Sequence, residues 1–81
     1  MMLKVRFLAN YRELVGRSEW LLELPEGATV GSLVDETLRQ FPRLREHKEE
    51  LIISVNKKQA SARQVLHEGD EAVLLPPAVG G

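Results

Sequence analysis

The chain has 81 residues, with 11 basic and 12 acidic side chains and a net charge of −1, a length suited to one domain with a small core. With no cysteine it can form no disulfide, cysteine metal site or thiol nucleophile, and this composition suits a reducing cytoplasm. The mixed charge argues against a general nucleic-acid binder, which concentrates basic residues on one face; Lys57-Lys58 and the group Arg43, Arg45 and Lys48 read as solvated surface. No apolar run approaches the ~20 residues that cross a bilayer, and the N-terminus lacks the layout of a signal peptide. The expectation is a small cytoplasmic domain without nucleic-acid or membrane partners.

From Met2 to Leu8 the chain alternates, with Leu3, Val5 and Phe7 on one side and Lys4 and Arg6 on the other, the period of a half-buried strand. Tyr11, Leu14 and Val15 follow at helical spacing, and Gly16 is placed to end a short helix. Trp20, Leu22 and Leu24 alternate again as a second strand, joined to the first by a hairpin or by a longer loop with a helical turn. After the turn Pro25-Glu26-Gly27, Thr29 is a natural N-cap. Val30, Leu33, Val34, Leu38 and Phe41 then form one apolar stripe of the main helix, which Pro42 closes. Arg43 to Glu50 is polar and reads as a loop or weak second helix, with Leu44 and Leu51 as anchors. Leu51, Ile53 and Val55 alternate as a third strand. Asn56-Lys57-Lys58 is a turn, Gln59 to Leu66 has room for a short strand and a helical turn, and His67-Glu68-Gly69-Asp70 turns into the last strand, Glu71 to Leu75.

This order predicts an α+β domain over residues 1–75: a mixed sheet of four or five strands with one main helix across one face. The first and last strands can pair in parallel at the centre, because the helical segment supplies the long crossover. A β-grasp domain has this layout. Residues 76–81 form a separate C-terminal tail.

Nothing inside the predicted domain looks catalytic. His47 and His67 lack a second ligand at a recognised metal spacing and read as surface residues, so no metal site is expected. Glu49-Glu50 and Asp35-Glu36 are adjacent pairs whose side chains do not face one another. Ser18, Ser32, Ser54 and Ser61 lie in no nucleophile motif, and Trp20 and Phe7 fit core positions.

The ending LLPPAVGG is different. Pro76 and Pro77 cannot continue a central strand and favour an extended conformation. Six residues at ~3.1–3.5 Å each reach roughly 20 Å. Gly80 and Gly81 make the slimmest end a polypeptide can offer, able to enter a narrow channel. The terminal carboxylate, ionised above its ordinary pKa of ~3.3–3.7, is a poor electrophile until a partner activates it. Such a terminus suits a carried group, with the tail as substrate for other enzymes.

The segments KVRFLANYRELVG, LPEGATVGSLVDETL, ISVN and HEGDEAVLLPPAVGG resemble the small subunits of molybdopterin synthase across the whole chain. RELVG and the GDE…PP..GG ending are the most specific parts. The resemblance implies a ubiquitin-like β-grasp sulfur carrier. A ubiquitin-activating-like enzyme would use ATP to adenylate Gly81, and a sulfurtransferase would convert it to a thiocarboxylate. The tail, comprising Pro76, Pro77, Ala78, Val79 and Gly80, would enter the large synthase subunit. There, sulfur passes to cyclic pyranopterin monophosphate to build the dithiolene that holds molybdenum, in a complex of two large and two small subunits. The chain itself would bind no cofactor. Phe7, Leu74 and Leu75 are implied docking residues and Arg12 a second contact. Strand alternation allows only one of Leu74 and Leu75 to be core, and Leu-Leu stands where many relatives carry aromatic residues. Two alternatives stay open: a carrier for thiamine synthesis or tRNA thiolation, also conjugated to lysines, and an interaction module without acyl chemistry.

Overall fold

The computed structural model describes residues 1–77. Strand β1 (Met2–Phe7) is followed by a short helix α1 (Asn10–Val15) and strand β2 (Glu19–Glu23). The long helix α2 (Val30–Gln40) leads into a run of 3₁₀ turns (Pro42–Glu50), then β3 (Ile52–Val55), β4 (Lys58–Gln59) and β5 (Glu71–Leu75). The connection between the first two strands therefore contains a helix rather than a tight hairpin. Gly16, at φ 85°, closes that helix, its N–H donating to the carbonyl of Arg12 at 2.9 Å; the left-handed conformation is one that glycine adopts without a Cβ penalty.

The sheet is assembled around its first and last strands. β1 runs parallel to β5, with Lys4 opposite Glu71 and Phe7 opposite Leu74. β2 lies antiparallel on the outer side of β1, β3 antiparallel on the other side of β5, and β4 extends β3, giving the order β2-β1-β5-β3-β4. Five strands in a mixed sheet under one main helix form the α+β β-grasp layout that the element order predicts. The alternation in β1 has the predicted consequence, since Leu3, Val5 and Phe7 are all buried beneath α2.

Helix α2 begins at Thr29, whose hydroxyl accepts the N–H of Ser32 at 3.3 Å while the Ser32 hydroxyl accepts that of Thr29 at 3.2 Å. This reciprocal box satisfies donors that a bare helix start leaves unpaired. Two more are taken by the segment before β5: Val30 N–H donates to Gln64 and Gly31 N–H to Ala62, both at 2.9 Å. The approach at Gly31 is close, for a Cβ there would stand 3.3 Å from the Ala62 carbonyl oxygen. Val30, Leu33 and Leu38 are buried, while Val34 and Phe41 pack partly exposed against the same core. Thr37 is buried with them, and its hydroxyl donates to the Leu33 carbonyl at 2.7 Å. Phe41 meets the rings of Phe7 and Trp20 edge-on, at centroid separations of 5.5 and 4.9 Å.

Arg43 to Glu50 is neither loop nor α-helix but consecutive 3₁₀ turns, held to the core by the fully buried Leu44. Short turns suit a stretch with so few apolar side chains to bury. The short strand is Lys58–Gln59, starting one residue before the predicted segment, and the stretch to Leu66 is otherwise irregular apart from a single bridge between Thr29 and Val65. Asn56 and Lys57, at φ 50° and 75°, make the tight turn into β4. Asn56 also ties that turn to the start of β5: its side-chain amide donates to Asp70 at 2.8 Å and its carbonyl oxygen accepts the Glu71 N–H at 3.0 Å. Asp70 in turn accepts the His67 N–H at 2.8 Å.

Candidate functional site at the root of the tail

Strand β5 sits at the middle of the sheet and runs from its last residue, Leu75, straight into the half-buried Pro76 and the exposed Pro77. Proline ends the ladder there because it has no N–H to donate. Ala78, Val79, Gly80 and Gly81, the rest of the predicted tail, lie outside the described residues.

Around this root the strand faces take opposite characters. Ala72 and Leu74 are 1% and 0% exposed, whereas Val73 and Leu75 are half-buried on the face turned away from α2. Phe7, paired in register with Leu74, is 1% exposed. Phe7 and Leu74, both expected at the docking surface, are therefore core side chains, because α2 and Phe41 cover their side of the sheet. Leu75 alone of the three lies on the open face. It sits directly across from Ile52 of β3 and beside Leu8, whose N–H donates to the Leu74 carbonyl at 3.1 Å and which is 39% exposed. Sequence reasoning missed Leu8 and Ile52, although the alternation that places Phe7 inside also places Leu8 outside. Farther from the tail the same face turns polar, carrying Lys4–Glu19 and Arg6–Glu71 pairs at 3.6 Å. Exposed pairs of this kind contribute little to stability; the same face also carries Leu21, opposite Lys4 and 64% exposed. Arg12 projects into solvent from α1 and forms no ion pair among the described residues.

A recess of about 480 Å³ opens on the other side of the root, between Asn10, Tyr11, His47, Glu50 and the two prolines. Tyr11 is 0% exposed, and its buried hydroxyl has no hydrogen-bond partner among the described residues. Its ring lies 5.3 Å from that of His47, and His47 Nδ1 is 3.8 Å from Glu50 Oε2. His47, expected at the surface, is in fact lodged against Tyr11 with its side chain only 26% exposed; His67 is 80% exposed, as expected. This cluster was not foreseeable from spacing, because Tyr11 and His47 belong to separate elements brought together by the docking of α1 on the 3₁₀ run. The approach to the recess is strained: Ala9 holds φ 54° and ψ −137°, a region that disfavours a residue with a side chain.

Burial, and after it the Glu50 carboxylate, pushes the Tyr11 phenol above its ordinary value of 10.0. The folded state thus holds this proton more tightly than the unfolded chain. The resulting stability is complete below pH ~10 and is lost as pH rises through the raised value. Tyr11 is the only tyrosine, so the near-ultraviolet phenolate band reports it without interference. Tyr11→Phe should lose less of its urea midpoint between neutral and strongly alkaline pH than the wild type does. Superimposable alkaline curves would contradict this.

Among the described residues no three His, Asp or Glu side chains stand close enough to hold a metal ion, and no helix is long and apolar enough to cross a membrane. At this end of the molecule the described residues offer two prolines leaving the central strand, flanked by an apolar patch and an acidic recess.

Among known proteins, the family model described as ThiS family matches residues 5–81. The chain is 30% identical over 79 residues to the molybdopterin synthase sulfur carrier subunit of Arabidopsis thaliana, an overlap covering 98% of this chain and 82% of that protein. It is 38% identical over 60 residues to the protein of the same name from Mycobacterium tuberculosis, covering 74% of this chain and 72% of the other. In three dimensions it is similar to the crystal structure of SAMP1 from Haloferax volcanii, with a TM-score of 0.91 at 22% identity and both chains covered in full, a likeness of fold.

Proposed function

On the premise that this chain belongs to the ThiS family, we propose that it is the sulfur-carrying small subunit of a molybdopterin synthase. The observation that carries the reading is the end of the central strand: β5 delivers Pro76 and Pro77 off the sheet, and the sequence then closes on Gly80 and Gly81. Relatives bearing the sulfur-carrier name support it.

In this scheme the chain does no catalysis alone and binds no cofactor. A carboxylate oxygen of Gly81 attacks the α-phosphorus of ATP in a ubiquitin-activating-like enzyme, releasing pyrophosphate and leaving an acyl-adenylate. The terminal sulfur of a sulfurtransferase persulfide attacks the carbonyl carbon, and AMP departs. A second thiol then attacks the resulting acyl disulfide, forming an ordinary disulfide and freeing the Gly81 thiocarboxylate. In the large subunit that sulfur displaces an oxygen substituent from a carbon of cyclic pyranopterin monophosphate, the carbon–oxygen bond breaking as the carbon–sulfur bond forms and the oxygen leaving as water or as a phosphate oxygen. Water then cleaves the thioester, which leaves the sulfur on the pterin and restores the Gly81 carboxylate. Activation is needed because a carboxylate at neutral pH resists nucleophiles, whereas a mixed anhydride with AMP carries a good leaving group. Pro76 and Pro77 keep the tail extended, and Gly80 lets channel walls approach its backbone.

The large subunit would rest on the apolar patch of Leu8, Ile52, Val73 and Leu75. A contiguous patch of partly exposed aliphatic side chains is the kind of surface that partners cover, and a carboxylate placed in it would be buried unpaired in the complex. Leu75→Asp should weaken binding of the large subunit about 100-fold and Leu8→Asp about tenfold, read by calorimetry, with urea midpoints close to wild type. Unchanged affinity in both variants would move the docking surface elsewhere. Arg12 stands on a different surface, and its truncation should have the smaller effect.

The experiment that tests the carrier reading is the intact mass of the protein, untagged at its C-terminus and isolated from its own cells. The expected species is heavier by the exchange of one oxygen for sulfur, mapped to Gly81. A plain carboxylate on every molecule, even after incubation with ATP, the activating enzyme and a sulfur donor, would overturn it.

A further inference from the structure

The recess beside the tail root is independent of the acyl chemistry, and its lining is selective. We propose that it is a socket for a cationic side chain, an arginine, presented by the enzyme that receives the tail; only the identity of that enzyme rests on the carrier reading.

Tyr11 lines the recess, and its fully buried hydroxyl lacks a hydrogen-bond partner among the described residues. Buried hydroxyls are almost always paired, so an orphan on a residue that walls a recess marks the neighbourhood of a missing polar group. The Glu50 carboxylate supplies the charge, and its nearest cationic candidate, His47 Nδ1, stands off at 3.8 Å, so acceptor positions remain free on both oxygens. The rings of Tyr11 and His47, 5.3 Å apart, line the same cavity and offer aromatic surface on which a guanidinium stacks. Pro76 and Pro77 complete the wall with apolar carbon suited to the aliphatic stem of a long side chain.

Arginine fits this set better than the other occupants. Its five donors are enough for both oxygens of the Glu50 carboxylate with others left over for the Tyr11 side of the recess, and it needs no acceptor site. No lysine or arginine of this chain lines the recess, so a carboxylate or phosphate would meet only Glu50. Because the recess is walled by the tail's own first residues, any enzyme that threads the tail must lay its surface over the opening. The socket therefore reads the rim of the channel rather than its depth.

The test is a nuclear magnetic resonance titration of the isotope-labelled full-length protein with acetyl-Gly-Arg-Gly-amide, with acetyl-Gly-Gln-Gly-amide as neutral control. The arginine peptide should shift the resonances of Asn10, Tyr11, His47 and Glu50 saturably, half-saturating at roughly 1–10 mM, the affinity of one charged contact plus stacking. The glutamine peptide should not. Glu50→Gln should weaken the arginine response about tenfold, and Tyr11→Phe, which keeps the ring and the fold, should weaken it by a smaller factor. Equal responses to both peptides, or no saturation with arginine, would overturn the proposal. The mass of the tail separates the two readings: a thiocarboxylated chain whose recess ignores the arginine peptide sinks the socket alone. A plain carboxylate on a chain whose recess takes the peptide sinks the carrier reading alone.

Discussion

Replacing Gly81 with Ala is expected to cut sulfur donation roughly 100-fold or more while leaving the urea midpoint where it was. The residue lies six positions beyond the end of β5 in sequence, and the core is built from residues of the described domain. Its new methyl group would sit on the carbon next to the reacting carbonyl, inside a channel matched to bare backbone. Overpacking a tight site costs about 1–3 kcal/mol, and displacing a reacting atom by about 1 Å costs on the order of 100-fold. Adding one residue after Gly81 should be more damaging still, because it moves the carboxylate by about 3.5 Å. The measurement is single-turnover transfer from tail to acceptor, with thiocarboxylate loading read separately by mass. Wild-type loading and wild-type transfer by Gly81→Ala would refute the role of a bare terminus.

The opposite separation is expected at Phe7. It is 1% exposed and its ring meets Phe41 edge-on at 5.5 Å, so Phe7→Ala should remove about 3–5 kcal/mol of folding free energy. A domain of this size has roughly 4–12 kcal/mol in total, so a large fraction of the molecules would be poised to unfold in mild urea. Partner affinity, corrected for the folded fraction, should stay within about threefold of wild type. A normal midpoint with lost partner binding would return Phe7 to the docking surface.

The contrast between Phe7 and Leu75 shows what sequence alone could and could not reveal. Alternation over Glu71–Leu75 demands that Leu74 and Leu75 face opposite ways, and this is legible without coordinates. Which of them is covered depends on where α2 lies and on the register with β1, both set by long-range contacts. Strands β1 and β5 and helix α2 were readable almost to the residue because each carries a full apolar period. The 3₁₀ run and β4 were not, since Leu44 is the only buried side chain between Pro42 and Glu50 and β4 has two residues, both exposed. The proposed tail chemistry is argued from residue identity alone, and Ala78 to Gly81 lie outside the described residues. The Tyr11–His47–Glu50 recess was not, because it arises from the meeting of two short elements with no shared pattern.

The parallel pairing of β1 with β5 has a bearing on the order of events in the molecule's life. β1 and β5 are the first and the last strands of this domain in chain order, and until Glu71–Leu75 has been made β1 has no partner on its inner side. The core therefore closes only once the last strand has been made, through contacts between distant parts of the chain that make for slow folding. A chain that terminates early has neither a finished sheet nor a terminal glycine. On the proposed function, a chargeable tail would thus come only with a folded sheet, and an activating enzyme that gripped the sheet before engaging Gly81 would spend ATP only on folded molecules.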